Sequence, residues 1–546
     1  MHPNSPSQPP QPGPRPGPYG GPPPGPYGGR PVSPNAGPPT GPVPPYGGPP
    51  TGHQPLYQGP HTQPQPPVSA TGPVPPLPDT VRIPGGSGGS GGSGPDEPRF
   101  DRRILIGGAG AIALLAVIAV VLVITLSGGS EPGGKLGPQP GVASQEHGRR
   151  PIAQIEPTSG RTLTVAQDGS GQFTSIAEAA EETRPGDTVV ISSGTYEEAL
   201  MIPHSGTQGA YITYTAAPGA EVVITGDTDT DGLVELREQS WIKLIGLSIR
   251  GSSEHGLYAA GSSHVVVQDV EVADSEHGGI VFIDGSDIQV LHTEVRNSNA
   301  MGTDAKNEAI SMSNIDGFEI AYSIVEDCGE EGIDAKYEAR NGKIHDNTTR
   351  GNRGPNIYVD AAHAIEIYNN TVVGATGEGK AGIFLGVEDV SETRRTYDVK
   401  IYNNVITGNR GGGINFFVES DGTFSDLSII NNTIADNDGD GINPRDYDFT
   451  GTNVLRNNLV VGNTRDSAGD MSVFTADHNL FGTGPVGANP VEGAVEFVDA
   501  EAGDLRLAPD SAGIGAGSPD GAPRADVLGV ARPEDKIDLG AFQSQG

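Results

Sequence analysis

The segment GIDAKYEARNGKIHDNTTRGNRGPNIYVDAAHAIEIYNN, residues 332–370, contains two successive copies of one pattern. Each copy opens on a small or polar residue followed by Ile, at Gly332-Ile333 and Asn356-Ile357, and closes on a turn that ends in Asn. The opening recurs at intervals from 23 residues (256 to 279) to 31 residues (382 to 413). The other copies begin at Gly256-Leu257, Gly279-Ile280, Ala309-Ile310, Gly382-Ile383, Gly413-Ile414 and Gly441-Ile442. Units of this length cannot bury an apolar face alone, so they must stack on one another.

The alternation of apolar and polar residues after each opening predicts which side chains face inward. Successive side chains of a strand point to opposite sides, so residues two apart share a side. We therefore expect an interior built from the second residue of each opening and the residue two positions later, such as Ile333 with Ala335. Five asparagines at one turn position are expected to hydrogen-bond along the stack: Asn347, Asn370, Asn404, Asn432 and Asn458. The pattern predicts an all-β parallel β-helix.

Both ends of the repeated region support this fold. Ser175 and Glu178 form a capping-box pattern that opens a short amphipathic helix, which we expect to cap the first coil. The opening TLTVAQDGSGQFTSIAEAAEETRPGDTVVISSGTYEE (162–198) resembles that of right-handed parallel β-helix proteins of the pectate-lyase-like superfamily. The segments GDLRLAPDSAGIGAG (503–517) and KIDLGAF (536–542) resemble the tail of the same group. The resemblance implies a right-handed coil, in a superfamily that contains lyases, hydrolases, epimerases and non-catalytic members.

The residues before the β-helix differ in composition. Residues 1–103 are rich in Pro and Gly and are predicted to be a disordered tail, because they lack the apolar residues of a core. Residues 104–126 are an uncharged apolar run long enough for one transmembrane helix. A flexible stalk over 127–158 and the β-helix over 159–546 follow. Arginines just before the run predict, by the positive-inside rule, a single-pass membrane protein with a cytoplasmic N-terminus and an extracellular β-helix. The Pro-rich tail is a candidate ligand for a cytoplasmic partner.

Composition argues against two classes of site. A formal net charge of −35 gives an acidic surface, and phosphate binding needs clustered cations, so we expect no nucleic acid partner. The single cysteine, Cys328, excludes an intrachain disulfide framework and any zinc site built on cysteines.

The outward positions of the stacked strands carry a cluster of ionisable residues. Adjacent coils lie about 4.8 Å apart. Asp334 and Lys336 are therefore expected side by side on one coil, with Asp360 beside Lys336 on the next. The segments GIDAKYEARNGKIHDN and NIYVDAAHAIEIYNN also resemble a recurring core motif of bacterial β-helix proteins in carbohydrate-lyase-like groups, which points to the same residues. Lys336, Asp334 and Asp360 are the candidate catalytic residues.

The residues around this cluster suit an extended polysaccharide, which is the predicted partner. Aromatic side chains stack on sugar rings, and guanidinium groups bind carboxylates. The candidate substrate-binding residues are Tyr337, Tyr358, Phe384, Phe417, Arg394, Arg395 and Arg445. Calcium is the candidate cofactor because carboxylate oxygens are its usual ligands, here Glu308, Glu331 and Glu388.

Several functions are compatible with these residues. We rank first a lyase in which Lys336 removes the proton α to the carboxylate of a uronic acid, so that an acidic polysaccharide is cleaved by β-elimination while calcium neutralises the substrate. Asp334 and Asp360 oppose this role, because they favour the charged form of Lys336. The alternatives are a glycoside hydrolase that uses paired carboxyl groups, a non-catalytic glycan-binding or scaffold protein, and a merely structural, exposed cross-strand salt bridge.

Overall fold

The computed structural model describes residues 160–545, which form a right-handed parallel β-helix of about 13 turns. The all-β fold predicted from the repeats is confirmed. Each turn runs through three faces. Strands of successive turns pair in parallel and in register, as Ile333–Lys336 does with Ile357–Asp360.

The first face carries the candidate site. Its strands are Leu200–Ile202, Gly232–Arg237, His255–Ala260, Ile333–Lys336, Ile357–Asp360, Ile383–Val387, Gly412–Val418, Asp440–Asn443 and Arg465–Ser467. Two longer strands, Ile280–Leu291 and Ile310–Ala321, pair with both this face and the second, so that the two faces form one 24-stranded sheet.

The other two faces complete each turn. The strands of the second face are Thr162–Val165, Thr188–Ile191, Ile212–Ala216, Ser240–Ile245, Ser263–Gln268, Arg340–His345, His363–Tyr368, Arg395–Tyr402, Thr423–Ser425, Ser428–Ile430, Asp448–Thr450, Val454–Arg456 and Thr475–Asp477. The third face is a 12-stranded sheet of Gly194–Glu197, Val222–Thr225, Ser248–Arg250, Glu271–Ala273, Glu294–Arg296, Ile324–Glu326, Thr348–Arg350, Thr371–Val373, Val405–Thr407, Thr433–Ala435, Leu459–Val461 and Leu480–Phe481. A separate antiparallel pair follows, Phe497–Asp499 with Asp504–Leu507.

The interior is the one that the repeats predict. The second residue of every opening is completely buried, from Leu257 to Ile442, and so are their companions two positions later, such as Ala335 and Val359. The asparagine stack is also confirmed. Asn404 Nδ2, for example, donates to Asn432 Oδ1 at 3.0 Å and to the carbonyl oxygen of Ile367 at 2.9 Å. These amides satisfy backbone groups that the turns would otherwise leave buried without a partner.

The predicted helix is present as the α-helix Ile176–Glu181, and two 3₁₀ turns lie at Gly302–Asp304 and Met471–Val473. Ser175 Oγ accepts the N–H of Glu178 at 3.3 Å, which is half of a capping box. The first backbone N–H groups are taken by Glu198 instead, whose Oε1 accepts from Ile176 N at 2.8 Å. That the helix caps the first coil stays a prediction.

The membrane prediction requires a correction. Within residues 160–545, no helix has the length and apolar character needed to cross a bilayer. This finding contradicts the placement as a single-pass membrane protein with a cytoplasmic N-terminus and an extracellular β-helix. The apolar run 104–126, the tail 1–103 and its cytoplasmic partner, and the stalk 127–158 lie outside the described residues.

Candidate functional site

The outward side of the first face has the register that the sequence predicts. One column runs through Ser311, Asp334, Tyr358 and Phe384, whose Cα atoms are partners on successive coils. The column beside it runs through Ser313, Lys336, Asp360 and Gly386. Asp334 and Lys336 therefore share a strand, and Asp360 is the neighbour of Lys336 on the next coil.

Lys336 is the centre of a buried ion cluster. Its Nζ lies 2.5 Å from Glu308 Oε2 and 3.4 Å from Asp334 Oδ2. The side chains of Lys336, Glu308 and Asp334 are only 6%, 7% and 2% exposed, although two of them stand on the outward side of the coil. An exposed cross-strand salt bridge does not describe this arrangement, because the charges are removed from water and interact strongly.

Asp360 and Glu388 extend the cluster toward the segment that follows the strand Ile383–Val387. Asp360 Oδ1 accepts the backbone N–H of Glu388 at 2.9 Å. The carboxylate of Glu388 accepts from the hydroxyl of Tyr358 at 3.1 Å and from that of Tyr337 at 3.3 Å. Glu388 thereby links both tyrosines to Asp360.

Two carboxyl oxygens in the cluster have no hydrogen-bond donor among the described residues. Asp334 Oδ1 and Asp360 Oδ2 are buried and accept no hydrogen bond from any residue in 160–545. Burial, followed by the charge of Glu308, raises the pKa of Asp334 well above its ordinary value. Burial, followed by the charge of Glu388, does the same to the pKa of Asp360. Both groups therefore keep a proton to a higher pH than an ordinary carboxyl group does.

The pKa of Lys336 is raised as well, but for a lysine this favours the charged form. Burial alone would lower its pKa, but the charges of Glu308 and Asp334 outweigh burial and raise the pKa above the ordinary value. The ammonium form is thus the stable one at neutral pH. Such a lysine serves as a fixed positive charge, whereas a general base must first lose its proton.

The three predicted calcium ligands do not form one site. Glu308 binds Lys336, Glu388 accepts from two tyrosines, and Glu331 Oε1 lies 3.5 Å from Lys380 Nζ. Among the described residues, no group of three or more His, Cys, Asp or Glu side chains is placed to hold a metal ion. This donor set does not fit calcium as it stands, and calcium binding stays an untested prediction.

The predicted sugar-stacking aromatics are packed against each other. Tyr358 and Phe384 are 7% and 8% exposed, and their rings meet edge to face with centroids 5.9 Å apart. Phe417 is half-buried and packs on this pair. The ring of Tyr337 lies 5.4 Å from Lys336 Nζ. These rings line the cluster, and their contact with a sugar stays a prediction.

The three predicted arginines lie outside the cluster's contacts. Arg394 pairs with Asp389, and the guanidinium of exposed Arg395 lies 4.4 Å from the ring centre of Tyr397 on the second face. Arg445 is exposed and follows the end of the strand Asp440–Asn443. Their role as contacts for a substrate carboxylate stays a prediction.

Sequence reasoning missed two residues near the cluster. Burial and the neighbouring Glu331 raise the pKa of Glu330 to about 7. Gly386 follows Asp360 in its column, and a Cβ there would lie 2.2 Å from the hydroxyl oxygen of Tyr358. The register places Gly386 beside Asp360, but the sequence does not show that the side chain of Tyr358 occupies the adjoining space.

Comparison with known proteins agrees with the fold. Residues 232–389 match the family described as right handed beta helix region. The uncharacterized protein YwoF of Bacillus subtilis (strain 168) is 30% identical over 318 residues, a match that takes in 47% of this chain. It covers 65% of YwoF, so this chain spans less than two thirds of that relative.

Similar solved structures include two β-helix enzymes. Pectate lyase Pel9A aligns with a TM-score of 0.47 and 17% identity over 71% of this chain and 97% of its own. A polygalacturonase from Erwinia carotovora ssp. carotovora aligns with a TM-score of 0.41 and 15% identity over 60% of this chain and 99% of its own.

Proposed function

We propose that this chain cleaves glycosidic bonds of an extended polysaccharide at the first face, with Asp334, Lys336 and Asp360 as the reacting cluster. One observation carries the proposal: two buried carboxyl groups on neighbouring coils each keep an oxygen that accepts no hydrogen bond from residues 160–545. An unsatisfied buried polar group costs about 1–3 kcal/mol. A purely structural role does not explain why the fold keeps these destabilising carboxyl oxygens. Buried carboxyl groups with a raised pKa are, however, typical of sites that transfer protons.

Hydrolysis accounts for the cluster better than β-elimination does. Asp334 or Asp360, whose raised pKa favours the protonated form, would donate its proton to the glycosidic oxygen as the bond to the anomeric carbon breaks. The other carboxyl group, ionised, would take a proton from the water that attacks that carbon. One coil spacing and a two-residue offset place their Cα atoms roughly 8 Å apart. Inverting hydrolysis requires the two carboxyl groups themselves to lie about 6.5–9.5 Å apart, which leaves room for the water.

The charge of the cluster also bears on the substrate. Glu308, Asp334, Asp360 and Glu388 surround the ammonium group of Lys336. A uronate carboxylate would add another negative charge, so a neutral sugar is favoured at the point of cleavage. Elimination from an acidic polysaccharide is the second candidate, because charged Lys336 can still pair with a substrate carboxylate. In either case Tyr337, Tyr358 or Glu388 must move for a sugar to reach the buried acids.

The test uses the purified full chain on a panel of neutral and uronate-containing polysaccharides. New reducing ends report any cleavage, and the ultraviolet absorbance of an unsaturated uronate reports elimination. We expect new reducing ends without a rise in absorbance. Their rate of formation should fall by at least about 100-fold in Asp334→Asn and in Asp360→Asn. Asp316→Asn is the matched control, since Asp316 is 43% exposed and pairs with Arg340 on the second face.

The other outcomes decide between the alternatives. Rising absorbance that Lys336→Met abolishes would establish elimination instead. Binding of a polysaccharide without cleavage would leave a glycan-binding role. Cleavage that persists unchanged in both Asn variants would overturn the assignment of the cluster.

A further inference from the structure

The segment that leads into Glu308 is bound by several residues of the preceding coils, among them Ser275, Glu276 and the buried His277, whose side chain is 7% exposed. His277 Nδ1 accepts the backbone N–H of Lys306 at 3.0 Å. Its carbonyl oxygen accepts the N–H of Asn299 at 2.8 Å. The next residue, Gly278, donates its N–H to the carbonyl oxygen of Lys306 at 3.0 Å. Both ends of the segment 299–306 are thus fixed to one point of the preceding coil.

These contacts help to position Glu308, together with the backbone bonds of Ala309 to Ile280 and Glu331. Lys306 is two residues before Glu308, and a Cβ on Gly278 would lie 2.7 Å from the carbonyl oxygen of Glu308. The two backbones are therefore in direct contact. Because Glu308 reaches across to Lys336 at 2.5 Å, a shift of the segment would separate that ion pair.

The hydrogen bond to Lys306 requires one particular form of the ring. An N–H group donates to Nδ1, so Nδ1 must carry a lone pair, and the proton of the neutral ring lies on Nε2, 3.5 Å from Glu254 Oε2. A second proton, on Nδ1, would face the N–H of Lys306 and break the bond. The ionisable groups around the ring are Glu254, the ammonium group of Lys306, which pairs with Glu254 at 3.3 Å, and His255, whose ring centre is 5.6 Å away.

We propose that His277 is a positioning residue for the Glu308–Lys336 ion pair, and that protonation of its ring releases the segment 299–308 and stops cleavage at acid pH. Cleavage here rests on the proposed function. Burial lowers the pKa of His277, so the ring stays neutral and the segment stays anchored at neutral pH. His255, by contrast, is bonded to the carbonyl oxygen of Asp231 and to Asn307 Oδ1, and contacts Lys306 through no hydrogen bond within the described residues.

The test combines hydrogen–deuterium exchange of residues 299–308 with the pH profile of kcat, both on the full chain. In the wild-type protein, exchange corrected for the chemical rate should rise at acid pH, where kcat falls. In His277→Asn, the Oδ1 atom takes roughly the place of Nδ1 and cannot be protonated. The acid rise in exchange should therefore disappear, and the acid loss of kcat should shrink to the part caused by protonation of the carboxyl base. His277→Ala should exchange fast at every pH and lose about tenfold or more in kcat. His264→Asn, which alters a histidine stacked on Trp241, is the control and should behave as wild type.

Two results would overturn the proposal: an acid loss of kcat in His277→Asn that equals the wild-type loss, or wild-type exchange of 299–308 in His277→Ala. The exchange readout also separates this proposal from the proposed function. If no polysaccharide is cleaved at any pH but exchange follows the expected pattern, the glycan-cleaving function fails while the control of Glu308 by His277 stands.

Discussion

The backbone N–H of Glu388 donates to Asp360 Oδ1 at 2.9 Å, and this bond holds the half-buried Glu388 next to the buried Asp360. The second oxygen of Asp360 accepts no hydrogen bond from the residues that the structure describes. Burial and the charge of Glu388 raise the pKa of Asp360 well above its ordinary value. The fold therefore tolerates Asp360 rather than being stabilised by its charge.

Replacing Asp360 with Asn should make the protein more stable and less active. A carboxyl group whose pKa is raised on folding stabilises the fold below its ordinary pKa, and this contribution is lost as pH rises through the folded-state pKa. Asn removes the charge but keeps the acceptor for the N–H of Glu388. At mildly alkaline pH we expect the Tm from calorimetry to rise by roughly 2 °C, while cleavage falls by about 100-fold or more.

Asp187→Asn is the control for this prediction. Although burial raises the pKa of Asp187, its hydrogen bonds with Arg161 lower it overall, so the charge of Asp187 stabilises the fold and its loss should lower the Tm. Equal destabilisation by the two substitutions would show that Asp360 is a structural residue.

The Glu308–Lys336 pair should show strong energetic coupling. Lys336→Met leaves the carboxylates of Glu308 and Asp334 buried without their cation, which should lower the free energy of unfolding by about 3–5 kcal/mol. Adding Glu308→Gln removes one of these charges and should restore most of the loss. Urea unfolding of the two single variants and the double variant measures the coupling. Additive effects would mean that the two side chains do not interact as the structure has them.

The repeats made the register of the first face predictable, because it depends only on the period of two along each strand. Asp334, Lys336 and Asp360 could therefore be placed side by side from the sequence. Their burial could not be predicted. It depends on Glu388 and on the segment before Glu308, and both meet the cluster only after the chain has gone around the coil.

The burial of His277 could not be predicted from the sequence either. Without the paired spacing of metal ligands, the sequence gives no reason to regard it as more than a surface or turn residue. In the fold it is buried, because Lys306, 29 residues later, returns to its ring. The asparagine stack was predictable for the opposite reason, since identical residues at a fixed place in each repeat must meet.

Glu330 should give the protein a pH-dependent stability near neutrality. Burial and Glu331 raise its pKa from 4.5 to about 7, so the folded state binds the proton more tightly than the unfolded state. This stabilisation is complete below the ordinary pKa and is lost as pH rises through about 7. The Tm of Glu330→Gln should fall less than the wild-type Tm over this range. Glu326→Gln is the matched control, since Glu326 pairs with Arg350 on the next coil as Glu330 pairs with Arg353. A wild-type slope in Glu330→Gln would contradict the assignment.

Gly386 leaves the space that the side chain of Tyr358 occupies, and filling that space should destabilise the fold. A Cβ at residue 386 would lie 2.2 Å from the Tyr358 hydroxyl oxygen and 2.6 Å from a ring carbon, so Gly386→Ala must displace the ring and break its bond to Glu388. We expect unfolding to become easier by about 1–3 kcal/mol. Once Tyr358→Ala has removed the ring, the same glycine substitution should cost less than about 0.5 kcal/mol. If Gly386→Ala lowers the free energy of unfolding equally with and without the Tyr358 ring, the glycine is required for the backbone conformation. The Tyr358–Glu388 contact would then not depend on it.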